Sequence, residues 1–248
     1  ASYSPYIYLV QARQLVRDYD PDVMVMNVDM NDVVNDYVYE RFAVRDADGK
    51  LQAIAPINET SQVDYVMTPT GTIAVPKQGA ALRWLAENTA TGYYVDKVIT
   101  RWRFSGNLKA LNYVAPDETA NWLANEWNPA IEATVARTLA AIGDWAAEAR
   151  AAGVAVALSA NPHLPQFEGE WSARPLDALK SYAASKGIPY IDLYAAMSAR
   201  FPGKEARALF WPPDPTHYNA KGYEVFADVH LAFFASPRGR ALLRPRER

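Results

Sequence analysis

Cysteine is absent from the 248 residues, and that absence removes disulfide bonds, thiolate-bound zinc and a thiol nucleophile. Histidine is scarce, with three copies, at 163, 217 and 230. His163 and His230 show no metal-ligand spacing with His217, which weighs against a metal site. A cationic surplus is missing too. The net charge is −3 and the isoelectric point is near 5.7, which argues against a nucleic-acid surface. No apolar run approaches the ~20 residues that cross a bilayer, and no signal peptide is visible.

What is present is ordinary for a globular chain. Hydrophobic residues make up 50% and charged residues 21%, and the length suits one large domain over 1–248. The 7 Trp and 15 Tyr fit a cleft facing a sugar or lipid, and equally an aromatic-rich core.

Helix and strand signals alternate along the chain. Ser4-Pro5 opens a helix with Leu9, Ala12, Val16 and Tyr19 on one stripe, and Asp20-Pro21 ends it. Val23 to Val28 is a short, apolar, β-branched run, the mark of a strand covered on both faces. Tyr39 to Ile54 reads as a hairpin turning at Asp46-Ala-Asp-Gly49. Residues 55–76 are polar and irregular, and helical patterns follow over 78–89 and 93–104. Together 39–125 forms an excursion from the core, a lid or small subdomain. Asn128-Pro129 then starts a long helix that Gly153 ends. Strands are predicted over 154–159 and 188–193, helices over 175–186 and from Asn219, and a frayed Arg-rich tail after Ser236. This order predicts an open α/β/α layer fold with a mostly parallel sheet.

Chemistry concentrates after the strands, where open α/β folds place their sites. Asp214-Pro-Thr-His217 precedes the last helix. A carboxylate three residues before an imidazole can bind one ring nitrogen and leave the other as a general base. The four residues alone are more often a turn cap and a surface histidine. Asp29-Met-Asn31-Asp32 follows the first strand. Asn31 there can donate to a developing oxyanion, a contact worth ~3 kcal/mol in the transition state, or simply form a turn. The helix start near Ser2 offers backbone N–H groups to an anion. Neither Ser2 nor Ser4 fits a nucleophile, because no strand precedes them to form the sharp strand-to-helix turn. Asp29, Asn161, His163 and Trp211 are candidates for substrate contacts, or for loop rigidity and packing.

In this order, the helix start Ala1-Ser-Tyr-Ser-Pro-Tyr6, Val28-Asp-Met-Asn31-Asp32 and Asp214-Pro-Thr-His217-Tyr-Asn-Ala-Lys-Gly222 resemble blocks of the SGNH (GDSL) hydrolase superfamily. Asp29 departs from that pattern's glycine, Ser2 stands at another glycine position, and the Gly-Asp-Ser block has no counterpart. The resemblance implies a flavodoxin-like three-layer α/β/α sandwich whose first two strands would precede residue 1. It implies a carboxylic ester hydrolase acting on an acetyl or short-acyl ester, on carbohydrate as a first expectation. His217 would be the base, Asp214 its partner, and Asn31 with the Ser2 backbone N–H the oxyanion donors. The nucleophilic serine would come from a companion segment upstream. A glycan O-acyltransferase on the same scaffold and a non-catalytic binding domain are the alternatives.

Overall fold

The computed structural model describes residues 4–55, 63–68, 71–76, 84–85, 88–89, 91–92, 95, 122–124, 126–212 and 214–243, without the side chains of 38, 41, 63–68 and 71–76. Its elements in chain order are α1 (Pro5–Tyr19), β1 (Val23–Asp29), α2 (Asp32–Tyr39), β2 (Ala43–Arg45), β3 (Leu51–Ile54), β4 (Val63–Thr68) and β5 (Gly71–Pro76). There follow α3 (Pro129–Ala151), β6 (Ala155–Asn161), α4 (Leu164–Phe167), α5 (Arg174–Ser185), β7 (Tyr190–Ile191), α6 (Leu193–Arg200), β8 (Phe210–Trp211), β9 (Asp214–Tyr218), α7 (Ala220–Ala235) and α8 (Pro237–Leu242). The fold is mixed α/β, built on a small parallel sheet of order β1-β6-β7.

Side-chain alternation along a strand explains why the sheet is buried. Val156, Leu158 and Ala160 of β6 join Met26 and Val28 in a core with Tyr6 and Leu9 of α1 and Ile131, Val135, Ile142 and Trp145 of α3. Ala157 of β6 points the other way, into a second core with Ile191, Leu193, Phe210, Tyr218, Val225 and Val229. Helices α1 and α3 are clamped by Arg13, whose guanidinium bonds both oxygens of Glu148 at 2.7 and 2.8 Å and also reaches the carbonyls of Leu51 and Gln52.

Local signals are read as the sequence predicts in several places. Pro5 occupies the first turn of α1, and Asp20 ends it in the left-handed region at φ 43°. Gly49 takes φ +78° in the β2–β3 turn and donates to Asp46 O. Asn128 caps α3 by accepting from Ile131 N.

Elsewhere the structure corrects the expectations. Residues 63–68 and 71–76 form an antiparallel pair rather than irregular chain. The β-branched and aromatic residues Val63, Tyr65, Val66, Ile73 and Val75 favour this over a loop. Helix α2 was not legible, since Val33, Val34, Asn35 and Asp36 are weak helix formers. All four are buried, so tertiary packing overrides propensity. The tail beyond Ser236 is not frayed at its start, because the Ser236 hydroxyl accepts from Gly239 N and caps α8. The expected strand over 188–193 shrinks to two residues, and Asp192 instead caps α6. The helices expected over 78–89 and 93–104 lie mostly outside the described residues.

Strand β1 is the edge of the sheet among the described residues. Ala155 N donates to Asp22 O at 2.9 Å. In a parallel ladder alternate residues face opposite neighbours, so even-numbered residues of β1 face β6 and odd-numbered ones face the free edge. Beside that edge lies a cavity of about 300 Å³, lined by Tyr8, Gln11 and Leu15 of α1, Met24 to Asn27 and Trp145. Val25 stands 38% exposed there.

Leu158 is fully buried in the central strand. Leu158→Ala is expected to lower the free energy of unfolding by about 3 kcal/mol, measured by urea titration. A loss under about 1 kcal/mol would show that β6 is not enclosed by the core described.

Candidate active site

The carboxyl end of the sheet collects the chemistry in two groups. The first is built on β8 and β9, an antiparallel pair with Phe210 opposite Tyr218 and Trp211 opposite Asp214. Its base is aromatic. Phe210 packs on Tyr218 at 5.0 Å and on Phe167 at 6.0 Å between ring centroids. Tyr218, itself buried, donates its hydroxyl to Pro162 O at 3.2 Å. Asn219 locks the far end. Its Nδ2 donates to the carbonyls of Ala208 and Phe210, and its Oδ1 accepts from Gly222 N to cap α7. Only glycine fits at 222, where a Cβ would stand 2.2 Å from Leu209 O.

On this base Asp214 and His217 meet. His217 Nδ1 lies 2.6 Å from Asp214 Oδ2. Asp214 Oδ1 accepts from both the backbone N–H and the hydroxyl of Thr216, at 2.9 and 2.7 Å. The Thr216 hydroxyl has one proton, and Asp214 takes it. The hydroxyl oxygen, 3.0 Å from His217 Nδ1, is then an acceptor, so Nδ1 carries the imidazole proton. That tautomer leaves Nε2 with its lone pair, on a side chain 72% exposed. Burial opposes the Asp214 charge, but the bonds from Thr216 and His217 outweigh it and hold the carboxyl at about 2. The arrangement is an oriented, accessible base backed by a permanent anion. Trp211 is exposed beside it.

The second group closes the ends of β1 and β6. The register sets Asp29 opposite Asn161. Asp29 Oδ1 lies 2.9 Å from His163 Nε2 and accepts from Asn31 N at 3.3 Å, and Oδ2 accepts from Asn161 Nδ2 at 3.2 Å. His163 is 1% exposed, so it holds Asp29 and does not reach a substrate in this form. Asn31 accepts at Oδ1 from Asn35 Nδ2 at 3.2 Å. Its own Nδ2 has no partner among the described residues and is the available donor. The N–H of Asp29 is not available, because it donates to Asp32 Oδ2 at 2.9 Å.

The structure thus joins Asp214 to His217, and Asp29 to Asn31, Asn161 and His163. Tyr218 links the groups through Pro162, which lies between Asn161 and His163. Ser2 lies outside the described residues. The first donor of α1, Tyr6 N, is committed to Asp36 Oδ1 at 3.0 Å. Thr216 and Asn35 are supporting residues that sequence reasoning missed. A hydroxyl between Asp214 and His217 was the one visible signal for Thr216, and nothing in the sequence marked Asn35. Among the described residues, no cluster of three or more His, Asp or Glu could hold a metal ion. No described helix is long and apolar enough to cross a membrane. No protein-family model matches the chain, and no curated protein sequence does.

Beneath the site Asp36 behaves opposite to Asp214. Burial pushes its carboxyl up to about 7, against the bonds from Ser4, Thr138 and Tyr6. The unfolded chain releases that proton near 3.8, so the native state binds the extra proton between about pH 4 and 7. Stability therefore falls as pH rises through this window, and buried Asp32, also raised, acts in the same direction. Asp36→Asn is expected to shrink the Tm drop between pH 5 and pH 8 by about 5 °C. Calorimetry at the two pH values checks it, and an equal drop in both proteins contradicts it.

Proposed function

We propose that this protein is a serine-dependent carboxylic ester hydrolase of SGNH type, acting on acetyl or short-acyl esters, carbohydrate esters among them. The observation that carries the reading is the His217–Asp214 pair, with Nε2 of His217 left as a lone-pair base at the strand end that also bears Asn31. A serine hydroxyl attacks the ester carbonyl while His217 Nε2 takes its proton. Asp214 stabilises the imidazolium. Asn31 Nδ2 and the Ser2 backbone N–H hold the oxyanion. The alcohol leaves with the proton from His217, and water repeats the cycle to release the acid. No step needs a cofactor.

The fold inferred with this reading is a three-layer α/β/α sandwich, flavodoxin-like and extended beyond β1. Two separate cores drawing on alternate residues of β6 support it. The nucleophile comes, in this proposal, from a companion segment upstream of residue 1 that supplies the strand next to β1. Three observations support that occupant. The free edge of β1 presents odd-numbered backbone groups with no strand across from them among the described residues. The cavity beside it is roofed by α1, the first described helix. At the end of the edge, Asp32 takes the Asp29 N–H with one oxygen and, among the described residues, leaves buried Oδ1 without a partner, a hydrogen-bonding position that a neighbouring turn would complete.

Two outcomes test the proposal. In the full protein, His217→Ala is expected to lower turnover of an aryl acetate at least about 10³-fold, with the circular-dichroism spectrum unchanged. Near-normal turnover would remove His217 from the mechanism. In the same protein, the Val25 and Asn27 amides are expected to exchange with deuterium at least about 10²-fold more slowly than exposed amides. Fast exchange at both would show that no strand covers this edge.

A further inference from the structure

We propose that Asp29 determines specificity: its open Oδ2 position accepts a hydrogen bond from a free hydroxyl on the alcohol half of the ester, adjacent to the acylated oxygen. The proposal rests on the ester-hydrolase reading above, and gives the alcohol a chemistry, that of a neutral polyol such as a sugar.

Each carboxylate oxygen accepts two in-plane hydrogen bonds. Asp29 Oδ1 is full, with His163 Nε2 at 2.9 Å and Asn31 N at 3.3 Å. Among the described residues Oδ2 has one donor, Asn161 Nδ2 at 3.2 Å, which leaves one position there. The side chain keeps 29% of its surface open, which makes that position reachable. Burial works against the charge, but the bonds from His163, Asn161 and Asn31 outweigh it and keep the carboxyl below its ordinary value. Asp29 therefore stays an acceptor throughout the neutral range.

The polar shell around it is also unfinished. Asn161 Oδ1 and His163 Nδ1 are buried without partners among the described residues. Unsatisfied buried atoms of this kind are rare in a purely structural cluster and call for a functional explanation.

Placement ties this acceptor to the reaction. Asn31, the proposed oxyanion donor, is two residues from Asp29 and bonded to it. Tyr218, next to His217, feels the Asp29 charge and bonds the loop that carries His163. An ester carbonyl held by Asn31 thus brings its alcohol within side-chain reach of Asp29. A neighbouring hydroxyl supplies the missing donor. A carboxylate on the substrate would meet Asp29 and Asp214, both held ionised at the same edge.

The test uses the full protein and two substrates, a methyl xyloside monoacetate with a free neighbouring hydroxyl and the same compound with that hydroxyl methylated. The wild type is expected to favour the first by roughly 10- to 100-fold in kcat/KM. Asp29→Asn is expected to reduce that ratio to below about 3. The ratio is internal to each protein, so a general loss of activity does not mimic the result. If Asp29→Asn fails to fold, the wild-type pair decides alone. Equal use of the two substrates by the wild type overturns the specificity proposal and leaves the hydrolase reading intact if an aryl acetate is still cleaved. An unchanged ratio in Asp29→Asn overturns it likewise. If the wild type cleaves neither the xylosides nor an aryl acetate, the hydrolase reading fails and the specificity proposal falls with it.

Discussion

The parallel pairing of Val23–Asp29 with Ala155–Asn161 is the constraint on which the rest depends. Its register sets Asp29 opposite Asn161, so the two strands end together and their side chains share one carboxylate. A one-residue slip would turn every side chain of β1 to the other face. Met26 and Val28 would leave the core shared with α1 and α3, and Asp29 would turn away from His163. The cores on either side of β6 resist that slip, because each takes only alternate residues. Packing far from the site thereby fixes the geometry of the site.

Four carboxylates near this edge show how partners decide charge. Asp214 and Asp29 receive hydrogen bonds at both oxygens and sit below their ordinary range. Asp32 and Asp36 are fully buried and sit above it. The contrast is not burial alone, since Asp36 accepts from Tyr6 N and Thr138 and is still raised. What separates them is proximity to an imidazole and to solvent. The charged pair keeps part of its surface open to solvent, and the raised pair is enclosed. Negative charge is thus held where a base needs a counter-ion, and withheld from the interior, where it would carry a large desolvation cost.

Much of this was legible in the chain. The apolar runs at 23–28 and 154–159 announced two buried strands, and Asn128-Pro129 and Asn219 announced helix starts. The i, i+3 spacing of Asp214 and His217 announced the pair. Other features could not be read locally. Helix α2 forms although Val33, Val34, Asn35 and Asp36 favour it weakly, because contacts from distant residues such as Thr138 and Tyr6 bury it. The role of His163 depends on Asp29, 134 positions away in sequence, and no local pattern reports such a bond. Asp32 stood out only as part of the block after the first strand, and its bond to Asp29 N emerges only once β1 ends where it does.

In the proposed reading one element, a strand that ends in a hydroxyl, serves both the edge of β1 and the lone pair on His217. Intact-mass analysis of the full protein treated with a fluorophosphonate tests this most directly. The account predicts a single adduct, on a serine upstream of residue 1 at the end of a strand. A full protein that stays unlabelled while folded and stable would contradict it, and would leave the carboxyl edge as a binding surface.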